Sequence, residues 1–133
     1  MNESTVNSNE KMVGLVVDGQ NKIGVVQQEF HKAFPFLKVE FFSRTHQTGR
    51  GSARRYLLHG EHSQNLSGVD SDDLAITADM TVAEVEQLFQ QHFGMGAQIF
   101  RKSGNVWLET TVTDGWTLEE QNRQGEALSK ALT

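Results

Sequence analysis

The sequence predicts a mixed α+β domain built from two strand–helix–strand units. Two observations favour this class: apolar residues recur at helical spacing in two separate segments, and short apolar or alternating runs flank each of them. With 133 residues, the chain has the length of one domain. We expect residues 1–11 to form a disordered tail and residues 12–133 to form the domain, with a long polar excursion at 45–73.

The first unit covers residues 12–41. The apolar run from Met12 to Val17 ends at a turn signal, Asp18-Gly19, and is therefore predicted to be a strand. A helix is predicted from four apolar residues spaced three and four apart, Ile23, Val26, Phe30 and Phe34. Pro35 ends this helix, and the alternation of apolar and charged residues after it predicts a second strand, Leu37 to Phe41.

The second unit begins with a short predicted strand, Leu74 to Thr77. Thr81 and Glu84 then have the spacing of a capping box, in which each side chain satisfies a free amide of the helix start. Gly94 supplies the expected left-handed C-terminal cap. The predicted apolar face of this helix consists of Val82, Val85, Leu88, Phe89 and Phe93.

A hairpin and a last helix are predicted after the second unit. Residues 97–102 and 105–109 flank Ser103-Gly104, which has the composition of a tight turn. In this register Phe100 lies opposite Trp107, on the face away from Ile99 and Leu108. A second capping-box pattern at Thr117 opens a helix to about Ala131, which we expect to depend on docking because its apolar stripe is thin.

The two units resemble each other in sequence. When residues 23–41 are laid over residues 82–100, four apolar helix positions coincide and Phe41 falls on Phe100. A strand–helix–strand unit cannot bury its helix stripe alone, so two such units are expected to pack together. We therefore expect a ferredoxin-like βαββαβ sheet with the helices on one face, extended by a hairpin strand and a C-terminal helix.

Three segments carry a resemblance to known proteins. They are FLKVEFF at 36–42, MTVAEVEQLF at 80–89, and the stretch FRKSGNVWLET at 100–110 with WTLEEQN at 116–122. The chain resembles a family of small uncharacterised bacterial α+β proteins with no assigned activity. The resemblance implies a bacterial cytoplasmic protein and transfers no site residues.

Composition limits the classes of function. The chain has no cysteine, which excludes thiolate metal sites and cysteine nucleophiles and fits a reducing compartment. Its apolar runs are far shorter than the roughly 20 residues that cross a bilayer, so we expect a soluble cytoplasmic protein without membrane contact. The net charge of −5 argues against a protein held to nucleic acid by phosphate contacts.

The motifs that suggest chemistry are incomplete, so we predict no catalytic residue, no metal and no cofactor. The segment from Gly49 to Arg54 begins like a dinucleotide fingerprint but has arginine at the third glycine position. His59 and His62 are close in sequence, yet Gly60 makes a rigid helix that would orient them unfavourable. A small hydrolase stays a weaker alternative, because the serines form no nucleophile elbow.

The hairpin carries one candidate binding surface. Phe100 and Trp107 are predicted to share a face, which leaves two readings: the C-terminal helix and Trp116 cover it, or it contacts a partner. Ferredoxin-like sheets can also stack bases on exposed aromatic rings beside basic residues. The residues of this candidate surface are Phe100, Arg101, Lys102 and Trp107.

The long polar excursion carries the second candidate surface. Its first part, residues 44–62, is rich in arginine, and the acidic residues of the chain accumulate after it. Arginine forks bind phosphate or carboxylate groups bidentately, so an anionic ligand is one expectation here. The alternative is that solvent or the following acidic stretch neutralises the arginines. The candidate residues are Arg44, Arg50, Arg54 and Arg55.

Taken together, these patterns predict a non-enzymatic protein-interaction or assembly module, whose partner is another protein or a second copy of the chain. The alternative is an RNA or single-strand nucleic-acid binding domain, which the acidic net charge disfavours.

Overall fold

The computed structural model describes residues 14–18, 22–45, 54–57 and 73–131, with the side chains of 44–45 and 54–57 left aside. These ranges contain three helices and six strands. In chain order they are β1 (Gly14–Val17), α1 (Ile23–Ala33), β2 (Leu37–Thr45), β3 (Arg54–Leu57), β4 (Leu74–Thr77), α2 (Val82–Phe93), β5 (Gly96–Ser103), β6 (Val106–Glu109) and α3 (Leu118–Ala131).

The strands form two antiparallel sheets. One sheet pairs β1 with β4, and the other has the order β3-β2-β5-β6. The α+β class is thus confirmed, together with the extra hairpin strand and the C-terminal helix. The ferredoxin-like sheet is not confirmed, because each strand of the first unit pairs antiparallel with its counterpart in the second, β1 with β4 and β2 with β5.

The core lies between one face of the large sheet and the first two helices. Leu37, Val39 and Phe41 of β2 and Ile99 of β5 are almost completely buried on this face. The ring of Phe89 on α2 meets that of Phe41 edge-on, with centroids 5.0 Å apart. All but one of the helix positions expected to face the core are buried, and Leu88 is half-buried against it. The buried positions are Ile23, Val26, Phe30, Phe34, Val82, Val85, Phe89 and Phe93.

The predicted repeat holds for the helices and changes by one residue in the strands. The starts of α1 and α2 at 23 and 82 differ by 59. On the paired strands, however, Val39 lies opposite Ile99, a spacing of 60, and both are buried. The match of Phe41 with Phe100 is therefore wrong, since a shift of one residue moves a strand side chain to the other face of the sheet.

The hairpin turn consists of Gly104 and Asn105, rather than the predicted Ser103-Gly104. Gly104 has a φ of 65°, a left-handed conformation that glycine adopts without strain. Trp107 consequently lies opposite Lys102, and Glu109 lies opposite Phe100. The register differs by two residues from the prediction, so Phe100 and Trp107 still share one face of the sheet.

Both capping patterns start helices, but only the first forms both hydrogen bonds of a capping box. At α2, the Thr81 hydroxyl accepts from the Glu84 amide and the Glu84 carboxylate accepts from the Thr81 amide, at 3.1 and 2.9 Å. Gly94 ends α2 in the left-handed conformation, as expected. At α3, the Thr117 hydroxyl accepts from the Glu120 amide at 3.1 Å, while the Glu120 carboxylate accepts from residues farther along the helix.

A glycine and a buried glutamine dock α3 on the ends of β2 and β5. A Cβ added at Gly125 would lie 2.9 Å from the Phe36 Cβ and 3.1 Å from the Arg101 Cγ, so only glycine lets the helix come this close. Gln121 is fully buried, donates to the backbone oxygen of Thr113 at 2.8 Å, and accepts from Arg101 at 2.9 Å. Its amide thus ties α3 to β5 and to the loop before the helix.

Candidate functional site

The large sheet has an open face, away from the core, that carries an aromatic and charged cluster. Because strand side chains alternate between faces, residues next to the buried Val39 and Ile99 point to this side. We define the open face by the cluster residues that the pairing of β2, β5 and β6 brings together, which are Lys38, Glu40, Phe100, Lys102 and Trp107.

Lys38 lies at the centre of the open face. Its Nζ is 5.3 Å from the centre of the Phe100 ring and 5.1 Å from that of Trp107, within the range of cation–π attraction. The same ammonium group forms an ion pair with Glu40 at 3.4 Å. Lys38 and Phe100 are cross-strand partners, so the pairing of β2 with β5 places this cation between the two rings.

A cleft separates the open face from α1. Its volume is about 470 Å³. Trp107 forms one wall, and the helix forms the other. In its lining, Gln27 donates to the Val39 backbone oxygen at 2.9 Å and to the Glu40 carboxylate at 3.2 Å. The complete lining is Gly24, Gln27, Gln28, His31, Lys38, Val39, Glu40 and Trp107.

His31 is held at the rim of this cleft by a contact with the backbone of β2. Its Nδ1 lies 2.9 Å from the backbone oxygen of Leu37. A carbonyl oxygen only accepts hydrogen bonds, so Nδ1 carries a proton and donates it in this contact. The imidazole meets the Trp107 indole edge-on, with centroids 6.1 Å apart. The histidine therefore buttresses the tryptophan from the helix side.

Three of the four predicted hairpin residues lie together, and the fourth does not. Phe100, Lys102 and Trp107 share the open face. Arg101 alternates to the other side, where its guanidinium lies 5.7 Å from the Trp116 ring and donates to Gln121. Its Nε is the one buried side-chain nitrogen or oxygen without a partner in the described part of the chain. Arg101 therefore belongs to the α3 contact rather than to the open face.

The C-terminal helix and Trp116 were one candidate cover for Phe100 and Trp107. In the structure both are engaged elsewhere: Trp116 faces Arg101, and Leu118 enters the core. The side chains that contact Trp107 are Lys38 and His31. Trp107 and Phe100 thus remain half-exposed at the surface.

The arginine-rich segment is partly regular structure. Arg44 lies on β2, and Arg54 and Arg55 lie on β3, so part of the predicted polar excursion belongs to the large sheet. The register places Arg44 directly opposite Arg55. Arg50 lies outside the described residues, as do the rest of the dinucleotide-like segment before Arg54, His59 and His62.

Within the described ranges, no group of three or more histidine or acidic side chains is placed to share a metal ion. The longest described helix, α3, has 14 residues, and none of the described helices combines the length and apolar character needed to cross a bilayer.

Sequence reasoning did not single out the β2 and α1 contributions to this site. Lys38 and Glu40 were visible as the charged residues of an alternating strand, which signals an outward face. Their position beside Phe100 depends on the pairing of β2 with β5, and that of His31 depends on how α1 packs beside β2. Both are contacts between residues distant in the chain.

Comparisons with family models, with curated proteins and with solved structures find no match to this chain.

Proposed function

We propose that this chain is a non-enzymatic protein-interaction module that contacts its partner through the open face. The observation that carries the proposal is the half-buried pair of surface rings, Phe100 and Trp107, with Lys38 between them. Aromatic residues with a surrounding polar rim are enriched at the centres of protein interfaces. Here Glu40 and Lys102 supply polar groups at the edge of the aromatic cluster.

A protein partner fits the open face better than a nucleic acid. Among the side chains that the structure describes around the two rings, Lys38 and Lys102 are balanced by Glu40 and Glu109, so this cluster offers no excess of positive charge to phosphates. Lys38 also lies over both rings, where bases would have to stack. Single-stranded RNA therefore serves as the competing ligand in the test.

The test is site-specific photo-cross-linking in the cells that naturally make the protein. A benzophenone amino acid replaces Phe100 in one variant and Leu128 in the control, since Leu128 is exposed on α3, away from the open face. We expect a discrete adduct with one protein from position 100 and none from position 128. The purified partner should then lose at least about tenfold in affinity for the Lys38→Ala variant, as central contacts do.

An RNA-binding measurement on the purified protein tests the alternative function, which is single-strand nucleic-acid binding. Anisotropy of a labelled single-stranded RNA of about 16 nucleotides, roughly the upper site size of one small domain, is measured across a salt series. We expect no salt-dependent binding. Micromolar binding that disappears in Lys38→Ala, without a protein adduct at position 100, would replace this proposal with a nucleic-acid function.

An anionic partner at the arginines is a second proposal, supported by the register of β2 and β3. Arg44 and Arg55 are cross-strand partners in this register. Arginine binds phosphate and carboxylate groups bidentately, so a phosphate-like anion is the ligand we propose for this pair. Titration with inorganic pyrophosphate tests this: we expect a rise in melting temperature that the Arg44→Gln variant loses and Arg123→Gln, exposed on α3, retains.

The resemblance to small bacterial proteins extends the proposal to location. We propose that the module acts in the bacterial cytoplasm, consistent with a chain that lacks cysteine. Fractionation of the native host should place it with cytoplasmic markers, and recovery with the envelope would contradict this.

A further inference from the structure

Within the described part of the chain, the outer edge of β6 presents backbone hydrogen-bonding groups that no other strand pairs with. The Lys102 amide donates to the backbone oxygen of Phe36, the residue just before β2, at 2.9 Å. Because the backbone groups of Lys102 point toward β2, Lys102 and its partner Trp107 on β6 form a non-hydrogen-bonded pair. The N–H and C=O of Trp107 therefore point away from the sheet. Thr110 bonds back to Ile99, which leaves Glu109 facing outward as well. No described residue pairs with these outward groups.

Helices cover two other stretches of strand edge in the described sheet, on its inner strands β2 and β5. The part of the β2 edge that β3 does not pair with is covered by α1, whose Gln27 donates to the Val39 backbone oxygen. The part of the β5 edge that β6 does not pair with is covered by α2, whose Glu86 carboxylate accepts from the Ile99 amide at 2.9 Å. Edge strands that avoid association are very short or carry charged residues, proline or a bulge. β6 (VWLE) has four residues and ends in Glu109, but it pairs regularly and has no lysine, proline or bulge.

Apolar side chains follow the same edge. Val106 and Leu108 are 54% and 41% exposed although they lie on a strand. Leu108 lies opposite Arg101, whose guanidinium faces the ring of Trp116, itself 39% exposed. The edge thus combines unpaired backbone groups with a strip of exposed apolar surface, the two requirements for addition of another strand.

We propose that a second copy of this chain pairs its β6 with this edge, antiparallel and about a two-fold axis at Trp107. In such a pairing, residues whose backbone N–H and C=O groups point away from the sheet pair with one another, so Trp107 meets Trp107 of the second copy. Val106 then lies opposite Leu108 of the partner subunit, and the two-fold axis generates this contact a second time. Glu109 lies opposite Asn105 of the partner subunit, which keeps the two carboxylates apart.

The complementarity of β6 to itself selects a second copy over an unrelated strand. Every apolar residue of the strand meets an apolar residue, and no like charges face each other, as an isologous interface requires. The resulting sheet has eight strands and joins the two open faces side by side. The dimer therefore doubles the surface that the proposed interaction function uses, and Trp107 is the one residue that belongs to both the open face and the β6 pairing.

The test is sedimentation velocity on the full chain between roughly 1 µM and 1 mM, the range expected for an interface smaller than the standard size. We expect a monomer–dimer equilibrium. Leu108→Lys and Val106→Lys should each raise the dissociation constant at least about tenfold, because two lysines then enter the interface by symmetry. Val25→Lys is the matched control, since Val25 is 38% exposed on α1 and should leave association unchanged.

Hydrogen exchange is the second measurement. The amides of Trp107 and Glu109 should exchange more slowly at high protein concentration than at low concentration, whereas the amide of Val112 should not change. A monomer throughout the range, or a dimer that both lysine variants leave intact, overturns the proposal. The open-face variant Lys38→Ala should dimerise normally, so failure here and failure of the proposed function give different results.

Discussion

Gln27 on α1 and Glu86 on α2 are 59 residues apart and do the same task in the two halves of the chain. Gln27 donates to the Val39 oxygen, and Glu86 accepts from the Ile99 amide, each at 2.9 Å. Val39 and Ile99 are themselves partners at the centre of the β2–β5 pair. Each helix thus covers the free edge of the strand that follows it, which leaves β6 as an uncovered edge in the described sheet.

Loss of the Glu86 contact should destabilise the domain. Glu86→Ala leaves the amide of the buried Ile99 without its acceptor. We expect a loss of about 1.5–3 kcal/mol in the free energy of unfolding. Glu86→Gln is the matched control, because its amide oxygen can accept the same hydrogen bond. This variant should retain most of the stability that the alanine variant loses. Urea denaturation measures both. Equal stability of the alanine variant and the wild type would show that the edge contact contributes nothing.

Substitution of Gly125 should oppose the usual effect of alanine in a helix. Alanine raises helix propensity by about 1 kcal/mol over glycine. At this site its Cβ meets Phe36 and Arg101, so we expect a net destabilisation of about 1–3 kcal/mol from overpacking. Gly115→Ala is the control, since no atom lies within 4 Å of its added Cβ. A stabilised Gly125→Ala variant would contradict the close docking of α3.

Removal of the Phe89 ring tests the core. Phe89 is fully buried and packs against Phe41 and Phe93, with ring centroids 5.0 and 6.0 Å away. Phe89→Ala should cost about 3–5 kcal/mol, a large part of the stability of a domain of this size. Leu128→Ala, at an exposed position, should cost little. Thermal unfolding followed by circular dichroism gives the answer, and a cooperative Phe89→Ala transition near the wild-type temperature would refute the packing.

The emission of Trp107 should report on Lys38 rather than on α3. In a Trp116→Phe background only Trp107 fluoresces, and the side chain of Lys38 lies over its ring. We expect Lys38→Ala to increase quenching by acrylamide and to shift the emission to longer wavelength. Lys130→Ala on α3, which removes an exposed ion pair, should change neither. If the α3 variant alters the emission and Lys38→Ala does not, the assignment of the open face is wrong.

Much of the fold was predictable because its signals are local. The α2 capping box, the apolar helix stripes and the Leu74–Thr77 strand depend on residues a few positions apart, and all agree with the structure. The hairpin was predicted with the turn one residue early, because serine and asparagine are both common beside a turn glycine. Only the backbone conformation of Gly104 decides the register.

The arrangement of the sheets was not predictable in the same way. An alternating strand pattern indicates which residues face the core, but it does not indicate which strand becomes the neighbour. The open face depends on such a choice, since Lys38 reaches Phe100 and Trp107 only when β2 pairs antiparallel with β5. For the same reason Arg101 was grouped with Lys102 in sequence, whereas strand alternation separates them in space.

The most direct test of the open face as the binding surface is a hydrogen-exchange footprint with the partner that position 100 captures. Amides in residues 98–109 and 37–42 should exchange more slowly in the complex than in the free protein, and Lys38→Ala should abolish this protection. The amides of α3 should be unaffected. Protection confined to α3 or to β3, with unchanged exchange in the Phe100–Trp107 hairpin, would contradict the account.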